Sequence, residues 1–292
     1  MDTLSVGPLT VEFHRTVRVA EDKLSNLPPS LGTLPIYLND FQTKHVLPEE
    51  IYCFLALHDK EAMWLNFRTD LPVAVMVGAG GINALNGEPM GEELKEGNYL
   101  VSPPQPWLDG WKAEDGSIYQ FVATPYQKGD GLSVGEQMLG EQASSELEII
   151  VFESKDPNLI MLEKPAEMCG GDAYEPCTTY VDDLEASFHS KTAMNDEGYW
   201  IPTMGIGKGG KIGQKIYPDP YGLEAWKPGY ASKIKVAVVN SVQYAEMTNS
   251  EMPPMPRSVE EYIGMWYGVK DKEMGDVKGT DSFDKLKFST QV

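Results

Sequence analysis

One glycine-rich stretch comes close to a motif for phosphate binding. Residues 205–211 read G-I-G-K-G-G-K, which fits the G-x-x-x-x-G-K pattern of a loop that cradles phosphates. The next residue is Ile212, where the motif needs Ser or Thr, and glycine and proline follow where a helix should begin. We therefore interpret the stretch as a flexible cationic loop, in which Lys208, Lys211 and Lys215 form the densest basic spot.

A second stretch matches the G-x-S-x-G pattern of a serine nucleophile at Ser133. That mechanism needs a buried strand before the serine, but residues 126–130 are polar and typical of a turn. Downstream of Ser133, the sequence offers His189 as the only base. We interpret the stretch as a turn and keep a hydrolase that uses Ser133 as a third functional hypothesis.

Two tryptophans flank an acid after a proline-rich segment. Trp107, Asp109 and Trp111 could bind a sugar, because indole rings stack on sugar rings and a carboxylate accepts hydrogen bonds from hydroxyls. The alternative is a folded-back loop in which both tryptophans are buried.

The remaining reactive side chains do not predict a metal or a cofactor. The four histidines show none of the zinc-binding spacings, and the acidic group Asp182, Asp183 and Glu185 lacks the spacing of a calcium loop. Besides Cys53, the chain has Cys169 and Cys177, eight residues apart. A disulfide between these two, an intermolecular bridge and reduced thiols all remain open.

The elements that position these residues read as short strands separated by turns. Alternating or continuous apolar runs predict strands at 9–19, 51–57, 62–67, 72–77, 99–101, 118–123 and 147–152. The second and third look like a hairpin around the polar residues 58–61. This rhythm predicts an all-β protein, an antiparallel β-sandwich resembling a jelly roll with long loops, over residues 1–155.

The second half is organised differently. Residues 141–200 hold 14 Asp and Glu against three Lys, which predicts an acidic linker or long loop at 156–199. Residues 200–292 are expected to add strands and one short helix, and could complete the same sandwich. The run Ile234–Asn240 is apolar on both faces, so we expect it in the middle of a sheet. Ser258 and Glu261 have capping-box spacing, which predicts the helix at 258–267.

Charge excludes two classes of partner. The 292 residues carry 24 Lys and Arg against 44 Asp and Glu, so the formal net charge is 24 − 44 = −20. Nucleic acid and anionic membrane surfaces would repel such a chain. No apolar run is long enough to span a bilayer. The first eight residues show neither a basic nor an apolar signal region, so we expect an intracellular protein.

Several strings of residues resemble a family of largely uncharacterised proteins shared by bacteria and fungi. They are E-A-M-W-L-N-F at 61–67, the segment 77–88, Q-P-W-L-D-G at 105–110 and the segment 209–223. We expect this family to include the octahedral-crystal protein of zygomycete vacuoles. The resemblance covers about residues 10–245 and implies dense inclusions, a role as sedimenting bodies in gravity sensing and a vacuolar location. It transfers no catalytic residue.

These observations favour a non-enzymatic structural protein whose partner is itself. The basic spot and the acidic group at 182–185 would meet on neighbouring molecules. Carboxylates titrate near about pH 4, so self-association should strengthen toward the sequence pI of about 4.5. The alternative is a carbohydrate- or small-ligand-binding module that uses Trp107, Asp109 and Trp111.

Overall fold

A computed structural model describes residues 1–39, 47–127, 131–160, 194–196, 198–253 and 279–289. The fold is all-β, as predicted, with most strand pairs antiparallel. The strands of the described residues are β1 Leu4–Val6, β2 Leu9–Thr16, β3 Leu24–Ser25, β4 Ser30–Thr33, β5 Ile36–Leu38, β6 Cys53–Ala56, β7 Ala62–Arg68, β8 Val73–Ala79, β9 Ile82–Asn83, β10 Leu100–Ser102, β11 Trp107–Leu108, β12 Gly110–Lys112, β13 Ile118–Pro125, β14 Leu147–Glu153, β15 Met204–Ile212 and β16 Ser232–Val239.

Short helices complete the described part of the chain. Helix α1 covers Val134–Leu139 and helix α2 covers Ser241–Thr248, with single 3-10 turns at Gly140–Gln142 and Leu223–Ala225. Asn240 caps α2 by accepting a hydrogen bond from the Gln243 amide. None of the helices in these described ranges is long and apolar enough to cross a bilayer.

The long strands form one hydrogen-bonded sheet in the order β1-β2-β7-β13-β15-β16-β14-β8-β10. The C-terminal strands β15 and β16 therefore lie in the middle of the sheet, between β13 and β14. Parallel pairs occur where β3 joins β15 and where β6 joins β16. The first 155 residues and the C-terminal strands thus build a single sheet.

The core lies on one face of this sheet. Alternate residues of β2 and β7 point into it, as do apolar residues from β13 and β16 in the middle of the sheet and from β14 and β8 toward its other end. Strand β1 lies against β14 and β16, so the sheet curls over and its two halves enclose one apolar layer. Two smaller apolar clusters cover the opposite face, one beneath α2 and one beneath Trp226.

The predicted strands are confirmed, but one predicted pairing is wrong. Residues 51–57 and 62–67 do contain β6 and β7, yet these two strands do not form a hairpin. β6 pairs with β5 and β16, whereas β7 pairs with β2, β11 and β13. The run at 234–240 is confirmed as central, because β16 has β15, β6 and β14 as neighbours. The helix predicted at 258–267 and nearly all of the segment 156–199 lie outside the described residues.

The glycine-rich stretch at 205–211 forms the buried strand β15, so its interpretation as a flexible cationic loop is wrong. Its glycines let other segments lie directly on the strand. A Cβ atom on Gly205 would come within 2.8 Å of the Ser133 Cβ, and one on Gly207 within 2.8 Å of the Ser289 Cβ. At Gly210 a Cβ would collide with the backbone at Ala20. The glycine spacing therefore reflects close chain packing.

Candidate ligand-binding face

The structure separates the two tryptophans that the sequence placed together. Trp111 points into the core and is 0 % exposed, with its Nε1 donating to the Gly207 carbonyl at 3.1 Å. Its ring packs edge-on against Phe121 and at an angle against Phe283. Trp111 is a core residue, so the prediction that it stacks on a ligand is wrong.

Trp107 lies on the opposite face of the sheet. In the pairing of β11 with β7, Trp107 faces Asn66 and Leu108 faces Leu65. Leu65 and Leu108 belong to the core, so Trp107 and Asn66 point outward. Both outward residues are half-buried.

Strand β2 extends this outer face on the other side of β7. His14 lies opposite Trp64, and Glu12 lies opposite Asn66. The imidazole of His14 stacks on the Trp64 indole, with ring centroids 4.2 Å apart and planes inclined by 9°. Because directly paired residues share a face, β2, β7 and β11 present one outer row. We call it the polar–aromatic face, and it consists of Glu12, His14, Trp64, Asn66, Arg68 and Trp107.

Hydrogen bonds fix the polar side chains of this face. The Glu12 carboxylate accepts from Asn66 Nδ2 at 2.7 Å and from Arg68 Nη2. His14 Nδ1 lies 2.8 Å from Ser30 Oγ on β4. The side chains of Glu12 and His14 keep 14 % and 15 % of their area exposed, and Arg68 keeps 55 %. The face is therefore ordered in advance and partly open to solvent.

Asp109 is buried at the junction of β11 and β12. It follows Leu108 directly, where the chain changes its partner from β7 to β13. The residue is 3 % exposed, and neither its Oδ2 nor the Trp64 Nε1 has a hydrogen-bond partner among the described residues. A buried polar atom without a protein partner is one that a water or a ligand group can satisfy. Asp109 is therefore buried, and its carboxyl is not exposed to accept hydrogen bonds on the surface of the polar–aromatic face.

Burial also sets the charges of this region. It raises the pKa of Asp109 to about 8, so its carboxyl is protonated at neutral pH. Burial likewise lowers the pKa of His14, and the nearby Glu12 only partly offsets the effect. The imidazole is then neutral, and the charge of Glu12 is matched by that of Arg68.

The three lysines of the predicted basic spot do not form one surface. Lys208 is 1 % exposed, and its Nζ donates to the Phe283 carbonyl at 3.1 Å. It lies over the rings of Tyr119 and Phe288, and burial lowers its pKa to about 8. Lys208 is covered in the folded chain, so its prediction as a contact between exposed surfaces is wrong.

Lys211 and Lys215 differ from Lys208 and from each other. Lys211 Nζ contacts Asp115 at 2.7 Å and Asp284 at 3.5 Å. Burial alone would lower the pKa of Lys211, but its hydrogen bonds to Asp115 and Tyr119 raise it. Lys215 is exposed. The acidic partners predicted for these lysines, Asp182, Asp183 and Glu185, lie outside the described residues.

Ser133 begins a helix. Its hydroxyl accepts from the Glu136 amide at 3.2 Å and its own amide donates to Glu136 Oε2 at 3.3 Å, which is a capping box. The hydroxyl also donates to Glu136 Oε2 at 2.7 Å. Ser133 is 1 % exposed, and the predicted turn is the start of α1. His189 lies outside the described residues. The hydroxyl that a hydrolase would need is therefore engaged in capping.

The cysteine and the acidic groups within the described ranges add no second centre. Cys53 is buried, and burial raises the pKa of its thiol to about 12, so it stays protonated. Cys169 and Cys177 lie outside the described residues. Over the described ranges, no group of three or more His, Cys, Asp or Glu side chains is arranged to hold a metal ion.

Five residues of the polar–aromatic face were missed from the sequence, and their signal is alternation. In β2, Thr10, Glu12 and His14 alternate with core residues, and in β7 the outward positions are 64, 66 and 68. In both strands, every outward position carries an aromatic or a polar residue. This pattern distinguishes a face that can bind a partner molecule from one that contacts only water. Pairing with β11, which brings Trp107 to this face, is not visible in either strand alone.

Comparison of the chain with protein-family models, with curated proteins and with solved structures gives no match.

Proposed function

We propose that the protein is a non-enzymatic binding protein whose polar–aromatic face takes a carbohydrate or another neutral, polyhydroxylated small ligand. One observation carries this proposal. Adjacent register positions on β2, β7 and β11 bring Trp64 and Trp107 beside a carboxylate, an amide and a guanidinium that are already hydrogen-bonded.

The chemistry of the face suits such a ligand. A sugar ring offers an apolar face to an indole and hydroxyls to its rim, and Trp107 together with Asn66 and Glu12 supplies both kinds of contact. Because these side chains are held before binding, a ligand loses less free energy in ordering them. A neutral His14 adds a hydrogen-bonding group without net charge.

A glycan array tests this proposal. Wild-type protein should bind a subset of glycans, and Trp107→Ala should lose that binding by a factor of about 10 or more, as expected for loss of a stacking residue worth over 1 kcal/mol. Tyr230→Ala is the matched control, because Tyr230 is an exposed aromatic residue that is 42 % exposed elsewhere on the surface. Wild-type protein that binds no glycan, or binding that survives Trp107→Ala, would contradict the proposal.

Self-association is the second candidate, and the charge of the chain supports it. A net charge of −20 opposes contact between copies at pH 7, and protonation of carboxylates toward the pI of about 4.5 removes that repulsion. The resemblance to the uncharacterised family that we expect to include an octahedral-crystal protein implies dense intracellular inclusions. Of the three predicted lysines, Lys215 is the one that is exposed on the surface.

Light scattering from pH 7 to pH 4, with and without a reductant, tests this second function. Scattering should rise reversibly as the pH falls, and a reductant should lower it if Cys169 or Cys177 forms bridges between copies. A monomer over the whole range would rule self-association out. Irreversible precipitation with loss of secondary structure would also count against it, since it indicates unfolding.

A further inference from the structure

The last described segment, residues 279–289, lies across the sheet as a strap. It makes isolated parallel bridges where Thr280 meets Ala113 and where Phe288 meets Lys208. Its contacts with the sheet and with α1 otherwise come from side chains and single backbone groups. We call this segment the C-terminal strap.

One aromatic side chain anchors the strap in the core. Phe283 is 0 % exposed and packs against Trp111, with ring centroids 5.2 Å apart. Burying a phenylalanine contributes about 2 kcal/mol or more, so Phe283 is the fully buried anchor of the strap. Leu286 and Phe288 pack against the same core and are partly buried. The slot that receives Phe283 lies between Trp111 and β15.

Polar groups fix the direction of the strap. The carbonyl of Phe283 accepts from Lys208 Nζ, and the Asp284 carboxylate accepts from Tyr119 Oη at 2.7 Å. Asp284 also pairs with Lys211 at 3.5 Å. Farther along, the Lys287 backbone amide donates to the Gln137 side chain at 2.7 Å. The groove thus recognises an anchor, an acid and a backbone direction, as a peptide-binding groove does.

We infer that this groove also binds the C-terminal strap of a second copy of the chain, so that copies are joined by exchange of residues 279–289. The inference rests on the second proposed function, self-association. The occupant is fixed by the groove itself, because the same slot, the same Lys208 and the same Lys211 complement Phe283 and Asp284 of any copy.

Chain length permits the exchange. Twenty-five residues separate Pro253 from Gly279. An extended chain spans at most about 3.3–3.6 Å per residue, so this connection can reach about 80 Å. That distance exceeds the width of an ordinary domain of this size.

Strap exchange also explains how folded copies of the chain could assemble into a large inclusion. A strap donated from one copy to the next is a heterologous contact, since donor and acceptor surfaces differ. Such contacts continue without limit unless the rotation closes a ring. Inclusions or crystals need this kind of open-ended contact.

Isotope mixing with a zero-length cross-linker tests the inference on the full chain. Equal amounts of ¹⁵N-labelled and unlabelled protein are incubated at the pH where scattering shows association, and then treated with a carbodiimide. The Lys211–Asp284 ion pair should yield cross-linked peptides of mixed isotope, approaching about half of all such pairs if exchange is complete. The internal control is the pair Lys227–Glu153, at 2.6 Å within the sheet, which should give only same-isotope pairs.

A competition arm makes the test specific. A synthetic peptide of residues 279–289 should lower the fraction of mixed pairs at least severalfold by mass action, whereas the same peptide with Phe283→Ala should not. Same-isotope pairs alone at Lys211–Asp284, in a sample that does associate, would overturn the inference and leave self-association standing. A monomeric sample would overturn both.

Discussion

The outer faces of β7 and β15 lie close together in one sheet, yet they are built in opposite ways. β7 presents Trp64, Asn66 and Arg68 outward, and large side chains stay partly open to solvent. β15 presents glycine instead, and the N-terminus of α1, the segment near Ala20 and the C-terminal strap lie directly on it. Glycine spacing in this chain marks contact between backbones, whereas alternation with large polar residues marks the face that is available to a ligand.

The two tryptophans provide the sharpest contrast. Trp111→Ala should lower the free energy of unfolding by about 4 kcal/mol, because it empties a buried site and removes the hydrogen bond to Gly207. Trp107→Ala should cost about 1 kcal/mol or less, since the side chain is half-buried on the outer face. Urea unfolding followed by circular dichroism measures both. Equal losses of unfolding free energy in the two variants would contradict the distinction between the core and the binding face.

Glycine in β15 should tolerate no side chain. Gly210→Ala should destabilise the protein by about 3 kcal/mol, since its Cβ would meet the backbone carbonyls of Val19 and Ala20. Gly213→Ala is the matched control, because the nearest atom to its Cβ lies 3.9 Å away. The control should be neutral or stabilising by about 0.5 kcal/mol. Two variants with the same urea midpoint would show that the glycines are not there for close packing.

Asp109 makes the stability of the fold depend on pH, and the sign of this dependence is fixed. Its pKa rises from 3.8 in the unfolded chain to about 8 in the fold, so the folded state binds more protons between these values. Its stabilising contribution is complete below about pH 4 and is lost as the pH rises toward 8. Relative to wild type, Asp109→Asn should therefore gain stability from pH 5.5 to pH 7, by about 2 kcal/mol.

Measuring the Asp109→Asn variant against wild type at each pH isolates this residue. Burial also raises the pKa of Glu61, to about 7, although Arg15 opposes the shift. The Glu61 contribution has the same sign and is common to both proteins, so it cancels in the difference. Parallel stability curves for wild type and Asp109→Asn would show that this carboxyl is not held in its protonated form.

The smallest effect is expected at the rim of the face. Arg68→Ala removes an ion pair with Glu12 whose arginine is largely exposed, so stability should change by about 0.5 kcal/mol. The free energy of ligand binding should fall by more than the free energy of unfolding, because Glu12 loses one of the groups that orient it. Titration calorimetry beside thermal unfolding separates the two, and a loss of stability without weaker binding would place Arg68 outside the site.

Sequence patterns predicted most strands because alternation is a local property. The apolar run 234–240 even indicated its central position in the sheet. The partner of each strand could not be predicted from local patterns, since Cys53 in β6 pairs with Val236 in β16, 183 residues later. The capping box Ser133-x-x-Glu136 is present in the sequence and predicts the start of α1. We interpreted the segment as a turn because we considered only the catalytic motif at the same serine.

Only part of the candidate site could be predicted from the sequence, for the same reason. Trp107 was identified by residue type, but its face depends on pairing with Asn66, about 40 residues away. Trp111 has the same residue type and nearly the same surroundings in the sequence, yet it is buried. Between β11 and β12 the chain changes its partner from β7 to β13, and no local pattern indicates that change.

The most direct test of the binding face is a titration observed at the tryptophans themselves. The chain has six tryptophans, and the indole N–H signals of protein labelled with ¹⁵N-tryptophan can be assigned by substitution. On addition of an oligosaccharide identified on the array, the signals of Trp64 and Trp107 should shift together and saturably while that of Trp111 stays in place. Shifts confined to Trp226 or Trp200, or no shift at any oligosaccharide concentration, would contradict the account.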